Sequence, residues 1–288
     1  MRVMISLRDD ANANAARYYS EAKKWRSKIN GVSKGIAALE KKLAEKEKAG
    51  HGSGPGRLVL KEKRGRQWFE KFHWFFTSEG FLVISGRDAK SNELVVNRYM
   101  DPKDVYFHAD IHGAGHTILK TDGKKPGEVS LMEAAQFAAV FSSAWRDSLP
   151  VIDVYSAKPE QVTKQAPTGE SIGTGAFMVY GSRAWYKKTP LEFEIGCRKL
   201  AGDNGLAGFE FFSGPPSAVK SRADFSVRVE FGQDSKGDCA KKVAKIFSSR
   251  LAKGFGAGPG AVPKGHEINL DDIVSLLPSG SMKAVLLK

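Results

Sequence analysis

The sequence predicts an α+β fold: a mostly antiparallel mixed sheet with packed helices, preceded by a helical coiled-coil hairpin. Three observations carry that expectation. A heptad pattern runs through the N-terminal segment. Short apolar runs separated by turn residues dominate the middle. The helical patterns among them are few and long. The chain has 288 residues, 41% of them apolar, which suits a real core in one large domain or two modest ones. Its two cysteines, Cys197 and Cys239, exclude a disulfide framework and a Cys-rich zinc module and suit a reducing compartment. No apolar run reaches the roughly 18 residues of a membrane span. The opening MRVMISLRDD has no apolar signal core, so a cytoplasmic protein is expected.

The first element is the heptad seam. Ala15, Tyr18, Ala22, Trp25, Ile29, Val32, Ile36, Leu39 and Leu43 recur at alternating steps of three and four, the spacing of a coiled coil. Gly50-His51-Gly52-Ser53-Gly54-Pro55-Gly56 ends that helix. Arg57 to Phe76 then reads as a second helix folding back on the first. Residues 1–75 hold 18 lysines and arginines against 8 acidic residues, a net +10 of the chain's formal +13. Lys23, Lys24, Arg26, Lys63, Arg64 and Arg66 stand for this basic arm. One-signed charge so concentrated points to a polyanion, nucleic acid ahead of a membrane.

From 76 to 200 a compact mixed domain is expected, and from 201 to 288 an extension that packs on or continues it. Phe81–Ser85 reads as a strand, Gly86–Asn92 as a turn, and Glu93–Arg98 as the returning strand. Val105–His112 is a third strand, continued or paired by His116–Lys120. Ser130-Leu131-Met132-Glu133 has the form of a capping box opening a helix through Trp145. Strands follow at Val151–Ser156, Gly175–Gly181 and Leu191–Gly196, then a helix at Lys236–Leu251. Gly254–Gly260 reads as a flexible linker. A short helix over Leu270–Leu277 and a strand over Met282–Leu287 close the chain.

Three constellations are candidates for chemistry. On a strand, His108, Asp110 and His112 would face one way. They could hold zinc, form a base and its orienter, bond to a partner, or make a structural polar network. Lys164 to Gly175 interleaves glycines with hydroxyls such as Thr168. That pattern can turn N–H groups toward a phosphate or be an ordinary loop. Arg87, Asp88 and Asn92 share the expected turn, with Arg87 free to reach outward. Neither a nucleophile elbow nor a dinucleotide fingerprint appears.

Several segments are familiar as a set. They are Trp68–Phe75, Gly86-Arg87-Asp88-Ala89 with Asn92-Glu93, Asp104–Ala114, Ala144-Trp145, Lys164–Glu170 and Thr174–Met178. Their order resembles the NFACT-R domain of the NEMF, Caliban and bacterial fibronectin-binding-type family, which acts in ribosome-associated quality control. Upstream, Ala11–Tyr19 resembles the start of that family's coiled coil. The resemblance implies an RNA- and ribosome-binding module, with tRNA or ribosomal RNA and the large subunit as partners. It implies no enzymatic step, cofactor or metal. Arg87, Asp88, Asn92, Arg98, His108, Asp110, His112, Lys164, Thr168 and Arg183 would form the RNA-reading surface. The family's NFACT-N domain has no counterpart in this sequence, and it or a ubiquitin ligase is an expected protein partner. Two other readings stand beside this one: a metal-dependent hydrolase centred on His108, Asp110 and His112, and a coiled-coil scaffold.

Overall fold

The computed structural model describes residues 10–48, 67–166, 171–200, 208–254 and 268–286. The chain divides into two units, 1–60 and 61–288. In the first, Ala11–Lys48 is one helix, α1. The Asp10 carboxylate opens it by accepting the Ala13 N–H at 2.7 Å. The seam residues Trp25, Ile29, Val32 and Ile36 are all exposed. Lys63, Arg64 and Arg66 lie outside the described residues, as does most of the expected second helix. Its end is corrected: Trp68–Lys71 is a 3₁₀ turn and His73–Phe76 a strand, β1. Phe75 enters one core cluster while Trp74 and Phe76 pack on another. Successive residues therefore face opposite ways, and aromatic side chains suit that two-sided surface.

The second unit is built on two sheets. β1 is an edge of a six-stranded sheet with β2 (Leu82–Ser85), β3 (Val105–Ala109), β4 (Thr117–Lys120), β5 (Val151–Ala157) and β8 (Ala184–Pro190), in the order β1-β2-β4-β3-β5-β8. Every neighbouring pair is antiparallel. A two-stranded pair, β6 (Val162–Thr163) and β7 (Met178–Val179), lies between β5 and β8 in sequence. The second sheet joins β9 (Phe193–Leu200), β10 (Gly208–Gly214), β11 (Phe225–Asp234) and β12 (Met282–Val285) in the order β10-β9-β11-β12, also antiparallel. One hydrophobic cluster runs from Phe75 through Met282, so residues beyond 200 share a core with the middle of the chain. β8, β10 and β11 are strands that the apolar runs did not announce. The Gly254–Gly260 linker falls outside the described residues after Gly254.

The expected returning strand Glu93–Arg98 is instead a helix, α2 (Ala89–Tyr99). The reason is local. Ser91 N–H donates to the Asp88 carboxylate at 2.7 Å, and Asp88 N–H donates to Ser91 Oγ at 2.8 Å. This reciprocal cap satisfies two orphan donors and outweighs the strand preference of Val95-Val96, both buried in the helix.

The Ser130–Glu133 capping box is also corrected. α3 begins at Glu128 behind Gly127 and runs to Val140. Ser130 and Glu133 are buried and bond across the fold. Ser130 donates to Thr77 Oγ1 at 3.0 Å. Glu133 accepts from Ser78 N–H at 2.8 Å and from Ser217 Oγ at 2.6 Å. The helix does not continue to Trp145: Ser142 breaks it and caps α4 (Ser143–Arg146). α3 is buried around most of its girth because it packs across β3, β5 and β8. α5 (Pro216–Lys220) and α6 (Lys236–Gly254) pack on the second sheet, and α7 (Leu270–Leu276) packs on α6.

Candidate nucleic-acid interface

The six-stranded sheet sorts its side chains by strand alternation. Val83, Phe107, Ala109, Leu119 and Val154 enter the core with α3. Ile84, Ile118, Tyr106, Tyr155 and Ala157 face the other way. α2 packs on β2 and β4, and towards β5 and β8 the same face carries a row of aromatic and cationic groups. His108 pairs with Tyr155 across the strands, and Tyr155 with Trp185. The Tyr155 and Trp185 rings sit 5.4 Å apart, edge to face. The Arg183 guanidinium lies 4.4 Å from the Tyr155 ring centre, and Lys187 Nζ 4.2 Å from that of Trp185. Trp185 is 42% exposed. Lys187 also pairs with Asp153 at 2.8 Å. Tyr155, Trp185 and Lys187 were not among the sequence candidates. The signal available was the aromatic-basic run Trp185-Tyr186-Lys187-Lys188.

Behind this row lies a buried hydrogen-bonded chain. His116 Nε2 is 2.8 Å from the Gly175 carbonyl, which only accepts, so Nε2 carries the proton. Nδ1 then accepts from the Tyr106 hydroxyl at 2.5 Å. The His108 ring lies 5.1 Å from that of His116. Burial, with the neighbouring His116, pushes the His108 pKa down to about 4. Burial lowers His116 as well and raises the Tyr106 hydroxyl.

Lys164 and Gly175, at the two ends of the glycine- and hydroxyl-rich segment, are tied down rather than open. Lys164 pairs with Glu93 at 2.9 Å and donates to the Gly173 carbonyl at 3.1 Å. The Gly175 N–H donates to Glu93 at 2.7 Å, so it is not free for a phosphate. Gly175 has φ +79°, and a Cβ there would stand 2.5 Å from the Ala89 backbone. Gly175→Ala should therefore cost about 2–3 kcal/mol through backbone strain and collision with α2. Urea unfolding checks this, and an unchanged midpoint would refute the locked geometry.

The expected trio does not assemble as drawn. β3 ends at Ala109, and the chain turns over 110–113. The strand alternation that would make His108, Asp110 and His112 co-facial stops there. His108 points into the aromatic network, while Asp110 and His112 are exposed in the turn. The His112 carbonyl accepts from Ser143 Oγ at 2.6 Å, which holds that turn to α4. Among the described residues no group of three His, Cys, Asp or Glu is placed to hold a metal ion.

Asp88 is spent as the α2 cap. Asn92 is also structural: its Oδ1 accepts the His116 N–H at 3.1 Å. Arg98 is exposed at the end of α2, 5.7 Å from the Tyr99 ring centre. Arg87 donates one guanidinium nitrogen to the Phe72 carbonyl at 2.8 Å. Lys23, Lys24 and Arg26 are exposed on α1. Thr168 lies outside the described residues.

Comparison with known proteins places these residues in context. Residues 71–181 match the family described as the NFACT protein RNA binding domain. The chain is 35% identical over 228 residues to the archaeal Rqc2 homolog aRqcH of Methanocaldococcus jannaschii, covering 79% of this chain and 31% of that protein. It is 40% identical over 188 residues to the ribosome quality control complex subunit NEMF homolog of Drosophila melanogaster, covering 63% of this chain and 18% of that one. Human ribosome quality control complex subunit NEMF is 37% identical over 178 residues, covering 60% and 16%. The chain thus spans less than a third of the length of each of these relatives. The matched segment coincides with the stretch whose motifs resembled NFACT-R. No helix of the described residues is long and apolar enough to cross a membrane.

Proposed function

We propose that this chain is an RNA- and ribosome-binding module of ribosome-associated quality control, acting in the cytoplasm on stalled large subunits or peptidyl-tRNA. The observation that supports it best is the Arg183–Tyr155–Trp185–Lys187 row beside the segment that matches an RNA-binding family. An exposed indole flanked by cations suits single-stranded RNA, whose unstacked bases seat on aromatic faces while phosphates meet the charges. The basic face of α1, with Lys23, Lys24 and Arg26, adds sequence-independent attraction that salt weakens. This is a binding surface with no reaction assigned to it. Its finer assignments are the large subunit, tRNA, an NFACT-N partner and a ubiquitin ligase.

Trp185→Ala should weaken binding of a short single-stranded RNA by about 1–3 kcal/mol, roughly 5- to 150-fold. Lys187→Gln should lower the salt slope of affinity by about one. Fluorescence anisotropy on the full chain across a salt series measures both. Wild-type affinity that does not change with salt would overturn the electrostatic part, and full affinity in Trp185→Ala the stacking part.

The scaffold reading is favoured by a separate observation, the exposed Trp25, Ile29, Val32 and Ile36 along α1. Ile29→Asp should abolish capture of a protein partner through that seam and leave RNA stacking untouched.

A further inference from the structure

A second aromatic platform lies apart from the Trp185 row. Trp68 opens the 3₁₀ turn Trp68–Lys71, and Tyr99 is the last residue of α2. Their rings stack with centroids 4.8 Å apart and planes 9° from parallel. The Phe69 ring stands nearly perpendicular to the indole, 5.7 Å away. Tyr99 thus covers one face of Trp68, and among the described residues no second ring lies parallel to it. Trp68 remains 44% exposed, which leaves the indole accessible to a further flat group.

Two exposed cations flank the stack. Lys71 Nζ donates to the Tyr99 hydroxyl and lies 4.4 Å from the Tyr99 ring centre. The Arg98 guanidinium is 5.7 Å from the same centre. Among the described residues neither cation pairs with a carboxylate. Asp101 and Asp104, just beyond α2, are held by Lys120, and Glu93 by Lys164. An exposed indole keeps apolar surface in water that a flat ligand would cover. Cations beside it favour a ligand that is aromatic at one end and anionic at the other. The helix α2 relates this platform to the first. At its start Ala89 touches Gly175, whose carbonyl holds His116 beside His108 of the aromatic row. At its end stands Tyr99. The two platforms therefore lie towards opposite ends of an 11-residue helix, about 16 Å long. Lys90, Leu94 and Arg98, four residues apart, form an exposed stripe along it.

We infer that Trp68 and Tyr99, with Lys71 and Arg98, form a second nucleotide-binding platform. One unpaired base lies on the Trp68 indole, and its phosphate meets Lys71 and Arg98. For the source of the nucleotide this rests on the RNA-binding reading: the base belongs to the same RNA strand whose other bases reach Trp185. The Tyr99 hydroxyl is occupied by Lys71, so the platform offers a ring face and charge rather than a pattern of donors and acceptors. It is therefore tolerant of base identity. A free nucleotide has the same chemistry, and the experiment separates the two sources.

Two measurements on the full chain test it. In the first, adenosine monophosphate is titrated at constant ionic strength while the indole N–H signals are followed by NMR. The Trp68 signal is the one missing from Trp68→Leu. It should shift saturably in the wild type, and far more weakly when Lys71→Gln and Arg98→Gln are combined. In the second, fluorescence anisotropy follows a single-stranded RNA of about 10 nucleotides, within the range that single-strand-binding folds cover. Trp68→Leu should weaken binding roughly 5- to 150-fold, and Trp68→Phe should restore most of it. The combined Lys71→Gln and Arg98→Gln variant should lower the salt slope by about two. That variant keeps both rings in place, so it carries the test if Trp68→Leu fails to fold. A Trp68 signal that does not shift, or never saturates, overturns the platform. A saturable shift with full RNA affinity in the variants overturns its assignment to RNA. If the wild type binds the mononucleotide at Trp68 but no RNA at all, the platform stands and the RNA-binding reading fails.

Discussion

Replacing Lys120 with methionine should destabilise the 61–288 unit by about 3–5 kcal/mol, the cost of leaving a buried charge without its partner. Lys120 sits on β4 with 9% of its side chain exposed, and the Asp104 side chain beside it is 2% exposed. The ammonium makes short contacts with Asp104 and Asp101 and donates to the Tyr99 carbonyl at 2.8 Å. That carbonyl belongs to the last turn of α2, where acceptors have no partner within the helix. One lysine therefore closes α2, anchors β4 and neutralises Asp104. The Asp104 carboxylate in turn accepts N–H groups from Asp101 at 2.8 Å and Thr121 at 3.0 Å. These bonds do not replace the cation beside a carboxylate that is 2% exposed. Lys120→Met combined with Asp104→Leu should recover much of the loss, because no charge is then stranded. Denaturant unfolding of the single and double variants measures this. A single variant that loses less than about 1 kcal/mol would show that the pair is solvated in solution.

The legibility of this fold in the sequence followed the range of the interactions involved. The heptad spacing announces α1, and the stripe Ala240, Val243, Phe247, Leu251 announces α6, because both are short-period patterns in the chain itself. α2 was misread although its cap is local, because Val95-Val96 carries a strand signal and the turn-forming Asp88 is also a helix-capping residue. Ser130 and Glu133 have the spacing of a cap, yet their partners are Thr77, Ser78 and Ser217. No local rule contains those distant residues. β10 and β11 became strands by pairing with β9, which also lies outside any short window.

The candidate site divides in the same way. Arg183 and His108 were visible as isolated residues, but their grouping with Tyr155 and Trp185 depends on the β3–β5–β8 register. The exclusion of Asp110 and His112 depends on where β3 ends.

Acid should destabilise the 61–288 unit well before its carboxylates titrate. In the unfolded chain a histidine takes up its proton near pH 6.5, whereas in the fold His108 does so only at about 4. The unfolded state therefore binds the extra proton first. The stability held by neutral His108 is complete above pH 6.5 and is lost as pH falls from 6.5 through about 4. A gap of that size corresponds to about 3 kcal/mol. His116 and His73 are lowered in the same direction, so they add to the loss rather than oppose it. The groups facing His108 are His116, Tyr106, Tyr155 and Arg183, and none is a carboxylate that could stabilise an imidazolium. The carboxylates with lowered pKa, Asp88, Glu93, Asp153 and Asp238, lose their contribution in a lower window, below about pH 4. Protonating His116 would also put a second N–H against the Tyr106 hydroxyl and disturb the chain that ends on the Gly175 carbonyl, so the contacts of Gly175 and Lys164 with Glu93 should loosen as well. Urea midpoints measured from pH 7.5 to 4.5 should fall steadily in the wild type and less steeply in His108→Gln, whose side chain does not titrate. A wild-type midpoint that stays flat from pH 7 to 5 would mean that these imidazoles are hydrated in solution and that the buried chain behind the aromatic row is not closed.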